Sequence, residues 1–271
     1  MKIKNYIYGA ALAVTALAMG ACSSIDENDR LIYVAPADVK KHVLVEDFTG
    51  QSCVNCPKAA EEIVKLQELY GEDNVIAVGI YGGDYGYSPI SQGHQPWSLT
   101  TEEGNSYYST WGVTAQPGCM VDRAGGRPFY NTAYLSAYVS AMIKNEPTVM
   151  ISPTVSYSAA QKSGTLNVTI SGLETLTDAK LQVWLVEDSI SDMQYMRDGS
   201  VNNSYVHNHV FRKSVSAVNG DAINVVKEGS VSRSYTFSVD DAWKADKVSL
   251  VTFVFTADGV QQVEKTVITS K

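Results

Sequence analysis

Positive charge is scarce in this sequence, which has 21 Lys and Arg against 29 Asp and Glu and a formal net charge of −8. Proteins that bind nucleic acid usually carry a basic patch, and none stands out here, so nucleic acid is not an expected partner. The sequence also lacks a Ser–His–Asp order, an HExxH motif, a phosphate-cradling glycine loop and a paired-carboxylate signature. Hydrolase and nucleotide-binding functions therefore have no support, and no cofactor is expected.

Long apolar runs are missing except near the N-terminus, where residues 9–19 follow a short basic segment. That run is shorter than the ~20 residues that a membrane-spanning helix needs, and small residues followed by Cys22 close it. The pattern predicts a lipoprotein signal peptide over residues 1–21 and a lipid on Cys22, and the alternative is an ordinary signal peptide. Residues 22–40 begin with a polar, acidic stretch and predict a flexible tether.

In the rest of the sequence, the pattern of predicted secondary structure changes near residue 146. Before this point, residues 41–146 alternate between strand-like and helix-like segments and predict a right-handed βαβ unit, with an insertion rich in Gly, Tyr and Ser at residues 81–111. After it, residues 147–271 contain seven strand-like runs, most of them separated by turn signals, and Tyr205–Val215 and Val248–Thr256 are two of these runs. These runs predict an all-β sandwich of immunoglobulin-like type.

Cysteine is rare, and two of the four cysteines form a C-x-x-C motif, Cys53 and Cys56, at the start of a predicted helix. Outside the cytoplasm such a pair is expected to be oxidised. A helix N-terminus lowers the pKa of a nearby thiol, so Cys53 is the expected attacking thiolate and Cys56 the resolving thiol. The alternative is a structural disulfide, although closing so short a loop gains little stability.

The residues around this motif resemble the thioredoxin superfamily. Asp47 lies six residues before Cys53, at the place where thioredoxins keep a buried acid. Residues 111–127 resemble the thioredoxin segment that holds a cis-proline facing the disulfide. The resemblance implies that Pro117 is that proline, that the backbone of Gln116 docks an extended substrate, and that Asp47 accepts a proton.

The motif also departs from the usual thioredoxin sequence. Ser52 stands where an aromatic residue is usual, and Val54 and Asn55 replace the usual Gly-Pro between the cysteines. Because these residues help to set the reduction potential, the direction of exchange does not follow from the sequence.

Two further motifs, TGxxCxNCP and YVHNHVFR, make the chain similar to a family of Bacteroides-type lipoproteins, the twenty-eight-kilodalton outer membrane protein family. The resemblance implies a lipid-anchored protein of the outer membrane, on its periplasmic or cell-surface face, with a thioredoxin-like N-terminal domain and no settled activity. The matching residues are Thr49, Gly50, Cys53, Asn55, Cys56, Pro57, Tyr205, His207, Asn208, His209, Val210 and Arg212.

The aromatic residues of the insertion are candidates for substrate binding, above all Trp97 and Trp111, because aromatic side chains on a long loop supply contact area at low entropic cost. The alternative is a self-packed loop that covers the sheet edge. Cys119 is either a third exchangeable thiol or, as we favour, a small buried apolar residue.

His207 and His209 have the spacing of two metal ligands on one strand face. No other histidine falls in a ligand pattern, so we expect a surface pair packed between the two domains and no metal. Arg212 is expected to pair with an acid that the sequence does not identify.

Together these features predict an α/β thioredoxin-like domain followed by an all-β immunoglobulin-like sandwich, attached to a membrane by its lipid. The first functional hypothesis is thiol–disulfide exchange with a protein partner, which would make the chain an oxidoreductase. The rival hypothesis is a surface binding or adhesion protein in which Cys53–Cys56 is a structural disulfide.

Overall fold

The computed structural model describes residues 40–86 and 99–269, which form strands and helices within one compact unit. The predicted signal peptide, the lipid site at Cys22 and nearly all of the predicted tether lie outside this range. In chain order the elements are β1 (Val43–Thr49), α1 (Cys56–Tyr70), β2 (Val75–Tyr81), α2 (Glu102–Trp111), β3 (Gly118–Val121), α3 (Leu135–Met142), β4 (Val149–Ser158), β5 (Ser163–Gly172), β6 (Lys180–Glu187), β7 (Ile190–Tyr195), β8 (Val201–His207), β9 (Val210–Ser214), β10 (Asp221–Ala222), β11 (Ser230–Ser238), β12 (Val248–Thr256) and β13 (Gly259–Val267).

The N-terminal part is built on the βαβ unit that the sequence predicts. β1 and β2 pair in parallel, from Val43 opposite Val75 to Thr49 opposite Tyr81, and β3 pairs antiparallel with the other edge of β1. Every residue of β1 and β2 is buried because both faces of this sheet are covered. Residues that alternate along β1 therefore face opposite layers. Val45 packs against α1 and α3, whereas Leu44 and Phe48 pack on the side of α2.

This sheet continues into the C-terminal half of the chain. β2 pairs in parallel with β9 at Gly79 and Val210, and the Gly79 N–H donates to the His209 carbonyl at 2.8 Å. The strand order across the sheet is β13-β12-β6-β9-β2-β1-β3, with β10 beside β6. Strands from both sides of the domain boundary predicted near residue 146 are thus hydrogen-bonded into one sheet. Pairing with β9 also covers an edge of β2 that would otherwise be open.

A second sheet, in the order β11-β5-β4, completes the C-terminal half. Its apolar side chains, including Leu166 and Ile170, pack with Leu185 of β6 and Leu250 of β12 in one buried cluster. The fold as a whole is β-rich, with mixed and antiparallel sheets and few helices. Its division into a thioredoxin-like and an immunoglobulin-like domain stays a prediction.

The predicted strand run from Tyr205 to Val215 is divided in the structure. His209 has φ +56°, in the left-handed region, so the chain turns between β8 and β9 instead of continuing as one strand. β8 pairs with β7 as a separate two-stranded hairpin outside both larger sheets. We call residues 190–207 the β7–β8 hairpin. No helix within the described residues is long and apolar enough to cross a membrane.

Candidate functional site

Cys53 and Cys56 form a disulfide at the start of α1. Cys56 is the first residue of the helix and Pro57 the second, where a missing N–H and a fixed φ are tolerated. The Cys53 N–H donates to the Gly50 carbonyl at 3.1 Å, and the Cys56 N–H donates to the Cys53 carbonyl at 3.2 Å. Cys53 is only 5% exposed and Cys56 only 2%, so the disulfide is almost closed off from solvent.

Asp47 lies on the α1 side of β1, opposite Cys119 of β3 in the strand register. The Cys119 thiol donates to Asp47 Oδ1 at 3.8 Å, a long contact through sulfur. Burial raises the pKa of Asp47 to about 7, although hydrogen bonds from Cys119 and Thr49 oppose this shift. Asp47 therefore gains or loses its proton near neutral pH. Cys119 is a fully buried free thiol, and burial raises its pKa well above the ordinary value.

The Gln116–Pro117 peptide bond is cis, as the thioredoxin resemblance implies. Pro117 is buried and precedes Gly118, which pairs with Phe48, so it lies at the sheet end where β1 leads into the disulfide loop. The Gln116 side chain forms hydrogen bonds within the protein. Its Nε2 donates to the Thr49 carbonyl and to the Tyr108 hydroxyl, both at 2.6 Å. These bonds tie β3, β1 and α2 together, and docking of a substrate on the Gln116 backbone stays a prediction.

The β7–β8 hairpin binds the disulfide loop, a contact that the sequence analysis missed. Gln194 Nε2 donates to the Cys53 carbonyl at 3.0 Å and to the Gly50 carbonyl at 3.3 Å. The Tyr195 N–H donates to the Gln51 carbonyl at 2.9 Å, and Gln51 Nε2 donates to the Met193 carbonyl at 3.2 Å. No local pattern could have revealed this contact, because Gln194 and Cys53 are separated by 141 residues.

The predicted insertion is partly helical, since α2 occupies residues 102–111. Tyr107 and Tyr108 of this helix are buried in the core, as expected for the self-packed alternative. The half-buried Trp111 ring lies 4.9 Å from the Arg123 guanidinium carbon and packs against the core cluster of that sheet face. A role for Trp111 in substrate binding stays a prediction, and Trp97 lies outside the described residues.

The two histidines of the YVHNHVFR motif contact different partners. His207 is 1% exposed, its Nδ1 lies 2.7 Å from the Tyr81 hydroxyl, and burial lowers its pKa to about 4. His209 Nδ1 lies 2.9 Å from Asp188 Oδ1. The expectation of a surface pair is therefore wrong for His207, because its ring is buried against Tyr81. In residues 40–86 and 99–269, no group of three or more His, Cys, Asp or Glu could hold a metal.

The expected acidic partner of Arg212 is Glu187, whose Oε2 lies 3.4 Å from Arg212 Nε. The Arg212 guanidinium carbon also lies 4.9 Å from the centre of the Trp243 ring. This arginine therefore links β9 to β6 and to the segment that precedes β12.

A cleft of about 570 Å³ adjoins the disulfide, and we call it the α1 cleft. Its walls are α1 on one side and β8 with the following turn on the other, while β1 and β2 form its floor. Asp47 and Cys56 both line the cleft, as do Tyr81 and His207. The structure thus brings two predicted site residues, Asp47 and Cys56, together with residues from the C-terminal half that sequence reasoning did not join to them.

The fold and site define a β-rich protein with a C-x-x-C disulfide at a helix N-terminus, covered by a hairpin from the C-terminal half. A family profile described as outer membrane protein Omp28 matches residues 104–271, more than half of the chain. The chain belongs to this family, and its membership supports a location in the outer membrane.

The similar solved structures include HBP35 of Porphyromonas gingivalis, at 19% identity and a TM-score of 0.68, covering 86% of this chain and 77% of that one. A structural genomics target from Agrobacterium tumefaciens has 13% identity and a TM-score of 0.55, with 87% of this chain and 98% of that one covered. At such identities the likeness concerns the fold alone. A domain of the Omp28 lipoprotein from P. gingivalis has 23% identity and a TM-score of 0.34, with 46% of this chain and 90% of that one covered. No curated protein matches the chain in sequence.

Proposed function

We propose that this chain is a lipoprotein of the outer membrane, attached through a lipid on Cys22, whose Cys53–Cys56 pair exchanges disulfides with a protein partner. The observation that carries the proposal is the position of this disulfide at the start of α1, with the buried carboxyl of Asp47 on the same side of the sheet and lining the same cleft as Cys56. A helix N-terminus stabilises a thiolate, and a carboxyl whose pKa is about 7 can exchange a proton near neutral pH.

The proposed exchange takes place in two steps. In the reduced protein, the Cys53 thiolate attacks a partner disulfide, forms a mixed disulfide and releases one partner thiolate. Cys56 then loses its proton to the Asp47 carboxylate and attacks Cys53 Sγ, which breaks the mixed disulfide and releases the second partner thiolate. The partner gains two electrons, and the protein returns to its oxidised state. The reverse sequence oxidises a partner dithiol.

The test is the reduction potential of Cys53–Cys56 in the soluble protein without Cys22, combined with trapping by a Cys56→Ala variant. A potential between about −120 and −270 mV, with partners trapped on Cys53, is expected. A potential below about −300 mV with nothing trapped would contradict exchange and indicate a structural disulfide. The control is Cys53→Ala/Cys56→Ala, and Cys119→Ala shows whether the third thiol takes part.

The second candidate function is surface binding with a structural disulfide. It is favoured by the burial of both cysteines and by the hydrogen bonds that hold the β7–β8 hairpin over the disulfide loop. The pKa of the Cys53 thiol in the reduced protein separates the two candidates. An ordinary value of ~8.5, measured by the pH dependence of alkylation, favours the binding protein, and a lowered value favours exchange.

A further inference from the structure

We propose that the α1 cleft is a binding site for a small aromatic amine, whose ring lies among the tyrosines of the cleft and whose ammonium group meets the Asp47 carboxylate. This site goes beyond the proposed exchange function and does not depend on it, because ligand binding to the oxidised protein requires no redox step.

The size and surface of the cleft suit a small organic molecule. Its volume of about 570 Å³ lies within the ~300–1,000 Å³ usual for ligand pockets. α1 contributes a group of apolar side chains to the cleft, Pro57, Ala60, Ile63 and Val64. Burial of an apolar ring against such a surface is favourable.

Three rings meet where the β8 wall joins the floor of the cleft, two from β8 and one from β2. The His207 ring packs edge-on against Tyr81 and Tyr205, with centroid distances of 5.5 and 4.8 Å. The 2.7 Å contact between the Tyr81 hydroxyl and His207 Nδ1 fixes the first pair. Rings that are held in place make favourable edge or stacking contacts with another ring at little entropic cost. This wall therefore favours an aromatic ligand.

The floor of the cleft contains a buried carboxyl that forms no ion pair within the described residues. Asp47 is 5% exposed, and its hydrogen-bond donors are the Cys119 thiol at 3.8 Å, a weak donor, and the Thr49 side chain. A buried carboxylate is stable only when it is well hydrogen-bonded or paired with a cation. An ammonium group at this position would satisfy Asp47 with a charge-assisted hydrogen bond.

The charges around the cleft exclude an anion and favour a cation. Besides Asp47, the lining carries the carboxylates of Glu61 and Glu68. Besides His207, the described lining has two basic side chains, and both lie beside a carboxylate. Lys65 Nζ lies 2.9 Å from Glu62 Oε1, and His209 Nδ1 lies 2.9 Å from Asp188 Oδ1. Burial lowers the pKa of His207 to about 4, so this ring is neutral at pH 7. A carboxylate ligand would therefore meet repulsion without a free cation to compensate it.

The cleft has an accessible rim. Val64 on α1 is 43% exposed, and Val206 at the end of β8 is 51% exposed. Both residues line the cleft, one from each wall. A ligand can therefore enter between the helix and the β7–β8 hairpin without opening the sheet.

The experiment compares three indole compounds of similar size and different charge. Their binding to the oxidised full-length protein at pH 8 is measured by calorimetry and by changes in the amide chemical shifts of NMR spectra. Tryptamine is expected to bind with a Kd of about 1 mM or tighter, at least tenfold more tightly than neutral tryptophol, and indole-3-acetate is expected to bind most weakly. The shifted amides are expected in α1, β2 and β8. No binding of tryptamine, equal binding of the anion, or shifts elsewhere in the molecule would each overturn the proposal.

Two variants and a control test the position of the ligand. Ala60→Phe fills the cleft from α1 and is expected to abolish tryptamine binding, whereas Lys58→Phe adds the same ring to the exposed face of α1 and is expected to leave the Kd unchanged. Asp47→Asn is expected to raise the Kd of tryptamine at least fivefold and the Kd of tryptophol less than twofold. Equal losses for both compounds would remove the ammonium–carboxylate contact from the proposal, and unchanged binding in Ala60→Phe would overturn the site itself.

Discussion

At the scale of single residues, the unusual feature is a titratable carboxyl inside the core. Asp47 occupies a position on β1 whose neighbours on the same side, Val45 and Cys119, are buried and apolar in character. Burial disfavours the charged form, which is why the pKa of Asp47 rises to about 7. Such a buried carboxyl lowers the stability of the folded protein, and it can accept or donate a proton near neutral pH.

Asp47→Asn is therefore expected to stabilise the oxidised protein at alkaline pH. The ordinary pKa of Asp is ~3.9, so the folded state holds a proton that the unfolded state releases between about pH 4 and pH 7. The unfolding free energy of the wild type should fall across this range relative to that of Asp47→Asn, and the difference should reach about 2–4 kcal/mol above pH 7. Urea denaturation at several pH values measures it.

The control for this pH dependence is Asp84→Asn, which removes an exposed carboxyl with no expected change in unfolding free energy across the same range. A stability difference between wild type and Asp47→Asn that does not vary with pH would show that Asp47 does not titrate near neutrality in the folded protein.

At the same scale, the C-x-x-C motif at a predicted helix start identified Cys53 and Cys56 as candidates, and the thioredoxin resemblance added Asp47 and Pro117. The chemical roles of these four residues stay predictions. Contacts between side chains that are distant in the sequence were not predictable. Nothing near Tyr81 or His207 in the sequence indicates that their side chains meet at 2.7 Å. Arg212 shows the same limit, since its charge implied an acidic partner and only the folded chain identified Glu187.

At the scale of elements, the β7–β8 hairpin packs over the disulfide loop. It belongs to neither of the larger sheets and contacts the disulfide loop through hydrogen bonds of Gln194, Tyr195 and Met193. The strand-like run at Tyr205–Val215 was predicted, but its division at His209 and the pairing of β8 with β7 were not. A single residue with a left-handed backbone changes where the following strand goes.

Gln194→Leu is expected to increase the rate at which a phosphine reductant opens the Cys53–Cys56 disulfide by at least threefold. The substitution removes the side-chain hydrogen bonds that join the hairpin to the Cys53 and Gly50 carbonyls, and each such bond contributes about 0.5–1.5 kcal/mol. The hairpin should then open more often and expose the sulfurs. The measurement is the rate of thiol release, and Asn203→Ala, an exposed position on the same hairpin, is the control. An unchanged rate would show that hairpin docking does not limit access.

At the scale of the whole molecule, the two halves share both a sheet and a core. Leu44 and Phe48 of the N-terminal half lie in one buried cluster with Trp184, Phe211 and Phe253 of the C-terminal half. Edge-to-edge pairing of β2 with β9 adds hydrogen bonds across the same junction. Neither half buries this face by itself, because each supplies only part of the cluster.

We therefore expect the full chain to unfold in a single cooperative transition, with the same midpoint in far-ultraviolet and near-ultraviolet circular dichroism. A fragment of residues 40–146 is expected to remain unfolded or to aggregate, because it lacks the aromatic side chains that cover β1 and β2 and the strand that pairs with β2. A cooperative transition in that fragment, or two separate transitions in the full chain, would show that the halves fold independently.

The sequence by itself determined the local features of this protein. Strand-like runs predicted most of the strands, with Val248–Thr256 matching β12 in full, and the C-x-x-C motif marked the start of α1. Only the tertiary structure decided that the strands of both halves form one sheet, that a hairpin covers the disulfide, and that a cleft opens beside Asp47. The reason is physical. Periodicity and helix-terminus chemistry act over a few neighbouring residues, whereas strand order and burial depend on which apolar faces meet across more than a hundred residues of chain.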